Sequence, residues 1–167
     1  MSSDTPYVLD ANVFIEAARR YYAFDLAPGF WQKIAHYAST GIIKSIDRVK
    51  QELERGKDDL AQWVSKGSFG AGFASTGGPA VIDSYGQIMG WVQAQPQFLA
   101  GAKANFAKGA DGWLVAYAIA EAGTVVTQEV LDPNVKNRVK IPNVCEAFGV
   151  QYLDTFKMLR ELGVKLS

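Results

Sequence analysis

The feature that most constrains the fold is a short apolar run near the start of the chain that ends in a carboxylate. The run is Tyr7-Val8-Leu9-Asp10, and Ala11 and Asn12 follow it. We interpret it as a buried β-strand that brings Asp10 to its C-terminal edge, with a helix starting at about Asn12, whose amide readily caps a helix. Ligands bind at that edge in open α/β sheets. A charge placed there is costly to bury, so Asp10 requires a positive partner or a metal ion.

Composition limits which metals the chain can hold. Among its 167 residues there is one cysteine, Cys145, and one histidine, His36. These counts exclude an intrachain disulfide and a cysteine-pair zinc site, and they disfavour a Ser-His-Asp triad. Any metal must be held mostly by oxygen, and oxygen ligands favour Mg²⁺ or Mn²⁺ over Zn²⁺.

Charge and hydropathy bear on partners and location. The chain has 17 Lys and Arg against 17 Asp and Glu, so net charge alone predicts no polyanionic partner, although a local basic patch is compatible with one. The N-terminus lacks the basic and then apolar pattern of a signal peptide. No apolar run approaches the roughly 18 residues that span a bilayer. We expect a cytoplasmic protein that forms one domain over residues 1–167 and does not contact a membrane.

Strand-like and helix-like segments alternate along the chain. Beyond the first strand, strands are predicted at 42–46, 124–127 and 150–153. Helices are predicted at 13–20, 28–38, 48–55 after an Asp47 cap, 58–65, 81–95, 96–103, 110–122, within 141–149, and after an Asp154 cap to Leu162. The glycine-rich stretch 66–79 matches neither a Walker loop nor a dinucleotide turn, so it is predicted to be a flexible loop or lid. This alternation predicts an α/β fold, a three-layer α/β/α sandwich with a mainly parallel sheet of four to five strands.

Four acidic residues lie where predicted elements meet. Asp10 ends the first strand, Asp111 opens the strongest predicted helix, and Glu129 follows the next strand. Glu52 lies in the helix after the second strand, where Glu54 competes with it for the same role. Because strand ends and the helix starts that follow them share one edge of a parallel sheet, we expect Asp10, Asp111 and Glu129 to converge. Taken singly, each acid other than Asp10 is more simply explained as a helix-terminal or surface residue.

A cluster of carboxylates favours one kind of chemistry. The negative charges repel one another strongly, and a divalent cation is the simplest way to neutralise them. A cation held by carboxylates activates water, orients a phosphodiester and stabilises charge on the attacking and leaving oxygens. Mg²⁺ retains several waters and takes few protein ligands, which leaves room for a substrate. The acids therefore predict a metal-dependent phosphodiesterase.

Taken in order, these motifs resemble those of the PIN-domain (PilT N-terminus) nuclease superfamily. The closer resemblance is to an uncharacterised bacterial PIN-like branch (DUF4411-like) that is related to VapC-type toxins. The superfamily motifs are matched at 8–12, 49–53, 110–118 and 125–129. Features typical of the narrower branch are at 21–25, 30–31 and 140–145. The resemblance implies a PIN-like fold.

The resemblance also implies roles for particular residues. The implied catalytic acids are Asp10, Glu52, Asp111 and Glu129. Of these, Asp10, Asp111 and Glu129 would be ligands to Mg²⁺ or Mn²⁺, with Asn12 and Thr127 supporting them or contacting substrate. The family usually has aspartate where this chain has Glu129, whose longer side chain would reach a metal directly or through water.

The activity implied by the family is endonucleolytic cleavage of single-stranded RNA, carried out by the toxin of a type II (VapBC-like) toxin–antitoxin system. Such toxins are commonly homodimers that a cognate antitoxin silences. Phosphate contacts are available from nine cations: Lys44, Arg48, Lys50, Arg55, Lys103, Lys108, Lys136, Arg138 and Lys140. Most of these, taken individually, are expected to be solvated surface residues.

Two other functions stay open. The first is a catalytically silent PIN-fold module that binds RNA or protein. The second is a phosphatase of the haloacid-dehalogenase type, whose nucleophilic aspartate also follows a first strand. That family has a second aspartate two positions on, where this chain has Asn12, and the expected Gly-Thr is missing. The phosphatase is therefore disfavoured.

Overall fold

A five-stranded parallel sheet forms the centre of the fold. The structure, a computed structural model, describes residues 5–166. The strands are β1 (Tyr7–Leu9), β2 (Ile43–Ile46), β3 (Phe73–Ala74), β4 (Thr124–Val126) and β5 (Tyr152–Leu153). They lie in the order β3-β2-β1-β4-β5, and each neighbouring pair is parallel. The predicted α/β class and parallel sheet are confirmed.

Helices connect and flank these strands. They are α1 (Ala11–Glu16), α2 (Pro28–Thr40), α3 (Asp47–Glu54), α4 (Asp59–Ser65), α5 (Pro79–Ala94), α6 (Ala100–Lys108), α7 (Asp111–Glu121), α8 (Ile141–Phe148) and α9 (Thr155–Glu161). The helix predicted at 13–20 is divided, because α1 gives way to a π-helical segment, Ala17–Tyr21. Among the described residues, none of these helices is both long and apolar enough to cross a bilayer. Residues 1–4, on which part of the signal-peptide expectation depends, lie outside the described range.

The strand order creates a crevice beside β1. From β1 the chain moves through β2 to β3 at one edge, and then returns past β1 to β4 and β5. Right-handed crossovers in opposite directions place helices on opposite faces of the sheet, which gives the three layers. The direction reverses between β1 and β4, and ligands bind at the carboxyl ends of strands at such a reversal. The residues that follow β1 and β4 are therefore the ones to examine.

Burial of both sheet faces explains the apolar strand sequences. Val8, Ile43 and Val125 each have 0% of their surface exposed. Strands covered on both faces are continuously apolar rather than alternating. β1 has no charged residue along its length, so the first charged residue after it, Asp10, lies at the sheet edge.

The prediction of a flexible loop over 66–79 was wrong. This stretch contains a 3₁₀ turn (Gly70–Gly72) and the edge strand β3, which pairs with β2. Phe69 is 2% exposed, and its ring packs edge-on against Phe14 with 5.3 Å between centroids. Burial of these aromatic rings outweighs the conformational freedom of the glycines.

Two helix caps also differ from the prediction. Asp10, rather than Asn12, caps α1, because its Oδ1 accepts a hydrogen bond of 3.0 Å from the backbone N–H of Val13. Asp47 is the first residue of α3 rather than its cap, and its carboxylate accepts bonds from the backbone N–H and the hydroxyl of Thr76. Asp154 does cap α9, as predicted.

Candidate functional site

Asp10 lies at the reversal point of the sheet and is held there by two hydrogen bonds. It is 2% exposed. While Oδ1 caps α1, Oδ2 accepts a bond of 2.7 Å from the hydroxyl of Thr127, the residue after β4. This second bond spans the crevice between β1 and β4. The Asp10 carboxylate therefore has a fixed orientation at the site the topology favours.

The surroundings of Asp10 oppose its ionisation. Burial raises the pKa of its carboxyl from 3.8 to about 7, against the lowering effect of the hydrogen bonds from Thr127 and Val13. The charges of Asp111 and Glu129 raise the pKa further. A carboxyl that titrates near neutrality, with carboxylates as neighbours, is characteristic of a functional site. A bound cation would offset the repulsion between these carboxylates.

Asp111 belongs to the same cluster. It is the first residue of α7 and is half-buried. Burial raises the pKa of its carboxyl to about 6, with further increases from Glu129 and Glu52, while Arg138 lowers it. Asp10, Asp111 and Glu129 thus lie together at one sheet edge, where the sequence predicted they would.

Glu129 is held by protein groups on both carboxylate oxygens. Its Oε2 accepts a bond of 2.8 Å from the guanidinium of Arg138, and its Oε1 accepts one of 3.0 Å from the backbone N–H of Ile141 at the start of α8. The Glu129 side chain is 7% exposed. Its own backbone N–H donates to the Thr127 hydroxyl at 3.1 Å, so Thr127 links Glu129 to Asp10. Each oxygen of Glu129 therefore has one lone pair already engaged, and the Arg138 guanidinium offsets the negative charge that would attract a metal ion.

The structure separates the two glutamates that competed for the α3 position. Both are exposed. The charge of Glu52 raises the pKa of Asp111, so Glu52 faces the acidic cluster. Glu54 instead accepts a weak bond of 3.4 Å from Ser65 on α4. Of the two glutamates, Glu52 is the one whose charge acts on Asp111.

Two hollows meet at Arg138 and flank the acids. One, of about 410 Å³, is lined by Asn12, Glu16, Tyr21, Gln128, Glu129, Val130, Arg138 and Lys140. The other, of about 110 Å³, is lined by Ala102, Asn105, Phe106, Gly109, Asp111, Asn137, Arg138 and Val139. Asn12 is exposed and lines the first hollow, and its side chain makes no hydrogen bond to an acid within residues 5–166. A larger hollow of about 860 Å³ lies along β5 and contains none of the predicted site residues.

A family model for a domain of unknown function, DUF4411, matches residues 7–166. The chain belongs to the DUF4411 family. This DUF4411 chain also has a fold similar to one in the crystal structure of VapBC2 from Rickettsia felis bound to a DNA fragment from their promoter. The TM-score is 0.56 at 16% identity, over 90% of this chain and 98% of that one. The fold is PIN-like, as the sequence predicted. No curated protein matches the chain in sequence.

The donor set of the DUF4411 site fits a magnesium-like ion better than a zinc-like one. Among residues 5–166, no group of three or more His, Cys, Asp or Glu is arranged to hold a metal ion as it stands. Of the four candidate acids, Glu129 pairs with Arg138, whereas Asp10, Glu52 and Asp111 make no ion pair among the described residues, and Asp10 and Asp111 are the more buried of these three. One or two carboxylates, with water in the remaining positions, is the usual protein share of a Mg²⁺ site.

Sequence reasoning missed the partners of Glu129 in this DUF4411 chain. Arg138 was predicted only as one of nine possible phosphate contacts, and the Ile141 N–H was not considered. The signal available was weak, because Arg138 lies in a polar loop and loop conformation sets whether it reaches back to Glu129. The start of α8 was visible from Pro142 at its first turn. A helix start supplies unpaired N–H groups that a carboxylate can bind.

Proposed function

We propose that this chain is a divalent-metal-dependent endoribonuclease that cleaves single-stranded RNA. The observation that carries the proposal is the buried Asp10 carboxyl at the sheet reversal, coupled to Asp111 and Glu129 in a PIN-like fold. Three carboxyls whose charges oppose one another are unfavourable for stability, so their presence at a ligand-binding edge favours a role in binding a cation.

In this proposal Asp10 and Asp111 hold Mg²⁺ or Mn²⁺. The cation would supply charge neutralisation for a phosphodiester and activation of a water. Thr127 fixes the orientation of Asp10 through the bond of 2.7 Å and thereby acts as a positioning residue. Glu52 and Glu129 would act on the metal ion through bound water. Asn12 would contact the RNA strand.

The biological setting we propose is a type II toxin–antitoxin pair. The support is the fold shared with a chain from the VapBC2 complex of Rickettsia felis, which is bound to a fragment of promoter DNA. We propose a cognate antitoxin as partner and a homodimer as the assembly. A small DNA-binding protein encoded next to this chain, and rescue of growth when the two are expressed together, are the results we expect.

Cleavage assays on purified protein test the activity. Wild-type protein should cut single-stranded RNA in Mn²⁺, while Asp10→Asn and Asp111→Asn should lose cleavage and remain folded. Asp25→Asn, at an exposed acid, is the matched control and should cleave normally. Full activity in both site variants would overturn the assignment of the acids.

A catalytically silent binding module is the second candidate. It is favoured by one observation, the ion pair and hydrogen bond that already satisfy both oxygens of Glu129. Calorimetric titration with Mn²⁺ separates the two functions. Saturable binding that Asp10→Asn abolishes supports the nuclease, and no binding at millimolar Mn²⁺ supports the silent module.

A further inference from the structure

An exposed arginine lies over an aromatic ring that is itself stacked on a second ring. The guanidinium carbon of Arg48 lies 4.1 Å from the ring centroid of Trp113. Tyr85 stacks on Trp113 with 3.7 Å between centroids and 6° between planes. Trp113 is in the first turn of α7, as Asp111 is, and Glu52 follows Arg48 by one turn on α3, so the stack is formed by the same two helices that carry these two acids. Arg48 is exposed, whereas both rings are half-buried.

A polar chain holds the other side of the Arg48 guanidinium. Its Nε donates to the hydroxyl of Thr76 at 3.3 Å, and Thr76 is 3% exposed. Thr76 in turn donates to Asp47 from its hydroxyl at 2.9 Å and from its backbone N–H at 3.1 Å. A ring on one face and a hydrogen bond at Nε fix the plane of the guanidinium before any ligand arrives.

Arg48 makes no ion pair among the described residues, although acids are close to it. Glu52 is four residues further along α3, a spacing at which Arg and Glu side chains commonly pair. The ion pairs within residues 5–166 are instead Arg20–Glu16 and Arg138–Glu129. The two terminal nitrogens of Arg48 have no hydrogen-bond partner in that range. They remain available to an anion.

We propose that Arg48 binds a phosphate of the nucleic-acid strand next to the bond that is cleaved. The inference rests on the proposed function and adds a substrate contact to it. A guanidinium with both terminal nitrogens available matches two oxygens of one phosphate. Stacking on Trp113, which is itself stacked on Tyr85, holds the Arg48 guanidinium away from the carboxylates. The guanidinium can therefore bind a phosphate of the nucleic-acid strand. Of the nine cations predicted from the sequence as possible phosphate contacts, Arg48 is the one that the described structure stacks on an aromatic ring.

Binding assays test the proposal separately from cleavage. Each variant is made in the Asp10→Asn protein, which keeps the strand intact, and titrated against a fluorescein-labelled single-stranded oligoribonucleotide by anisotropy. Arg48→Ala should weaken binding roughly tenfold and reduce the slope of log affinity against log salt by about 0.7. Arg160→Ala removes the same charge from an exposed position in the last turn of α9, outside those nine cations, and should change affinity by less than about twofold. Arg48→Lys should fall between the two, because it retains the charge without the planar stack.

A phosphate contact also predicts that the effect of Arg48→Ala does not depend on the RNA sequence. The loss caused by Arg48→Ala should be the same factor on oligouridylate and oligoadenylate, because phosphates carry no sequence information. Equal affinities for Arg48→Ala and Arg160→Ala would overturn the proposal whether or not the wild-type protein cleaves RNA. A wild-type protein that cleaves, together with such equal affinities, would leave the nuclease assignment standing and remove only Arg48 from it. No binding by any of the proteins would overturn both.

Discussion

Asp10 combines roles that have opposite effects on stability. As the cap of α1 it satisfies a backbone N–H at the helix start, which stabilises the fold. As a buried carboxyl near Asp111 and Glu129 it opposes folding whenever it is ionised. Asparagine at this position would retain a capping oxygen and lose the charge. The two effects can therefore be separated by one substitution.

We predict that Asp10→Asn stabilises the metal-free protein at high pH. The folded-state pKa of about 7 lies above the ordinary 3.8, so between these values the folded protein holds a proton that unfolding releases. Stability from this group is present at low pH and is lost as pH rises toward 7. Relative to wild type, the free energy of unfolding of Asp10→Asn should rise by about 2–4 kcal/mol between roughly pH 4 and pH 8. Urea unfolding in the presence of EDTA, repeated at each pH, measures this difference in free energy of unfolding.

Asp25→Asn provides the control for this prediction, because Asp25 is exposed. The difference in free energy of unfolding between Asp25→Asn and wild type should stay nearly constant over the same pH range. If Asp10→Asn were less stable than wild type at high pH, the capping role would dominate and the argument from charge repulsion would be wrong.

Glu52 and Glu54 offer a paired test on one helix. Only Glu52 is close enough to Asp111 to raise its pKa. We predict that Glu52→Gln lowers the rate of Mn²⁺-dependent cleavage by about 10- to 100-fold, as substitutions around a metal site commonly do. Glu54→Gln should stay within about twofold of wild type, and initial rates on a labelled RNA give both values. The reverse order would reassign the position to Glu54.

At the level of elements, the segment from the 3₁₀ turn to β3 differs most from its predicted form. Glycine content suggested mobility, yet Gly72 is in close contact with the core. A Cβ at Gly72 would lie 2.5 Å from a ring carbon of Phe69 and 2.9 Å from the Cβ of Ala38. Glycine is required here because two packed elements approach each other, not because the backbone must be flexible.

We therefore predict that Gly72→Ala lowers the free energy of unfolding by about 1–3 kcal/mol through overpacking. Gly78→Ala is the control from the same glycine-rich stretch, because nothing lies within 4 Å of a Cβ there. It should change stability by less than about 1 kcal/mol. Thermal and urea unfolding distinguish the two. Equal small effects would mean that this stretch is as free as its composition suggests.

At the level of the whole molecule, a single hydrogen bond joins the two ends of the described chain. The Tyr7 hydroxyl in β1 donates to Oε1 of Glu161 in α9 at 2.7 Å. Burial, followed by the bond to Glu161 and the charge of Glu161, raises the pKa of Tyr7 to about 12, so the hydroxyl remains a donor across the physiological range. This contact ties the last helix to the strand that positions Asp10.

We predict that Tyr7→Phe reduces the free energy of unfolding by about 0.5–1.5 kcal/mol, the usual net value of one hydrogen bond. Tyr37→Phe is the matched control, because the Tyr37 hydroxyl has no hydrogen-bond partner within residues 5–166. Neither change should alter cleavage, since neither side chain reaches the acids. Urea unfolding of the two variants gives the comparison, and equal losses would mean that the contact with Glu161 contributes nothing.

Much of the architecture could be predicted from local pattern. Short segments rich in β-branched and other apolar residues identified β1, β2, β4 and β5, and the apolar face of α7 identified its start at Asp111 to within one residue. The missed strand β3 is two residues long, too short to show a period. Its existence depends on pairing with β2, which is a non-local contact. Cap identity at α1 was missed for a similar reason, since Asp10 and Asn12 are both good caps and only the backbone path distinguishes them.

The sequence alone determined that acids follow strands β1 and β4 and open α7, because hydrophobic periodicity fixes where each element ends. Parallel topology then required Asp10, Asp111 and Glu129 to share an edge. Only the tertiary structure decided what each acid contacts there: Thr127 for Asp10, Arg138 and the start of α8 for Glu129, and proximity to Asp111 for Glu52. Likewise, only the tertiary structure placed Arg48 of α3 over Trp113 of α7. These pairings depend on loop conformation and on which side chains compete for one partner. Neither of these two factors produces a periodic pattern of residues that can be recognised in the sequence.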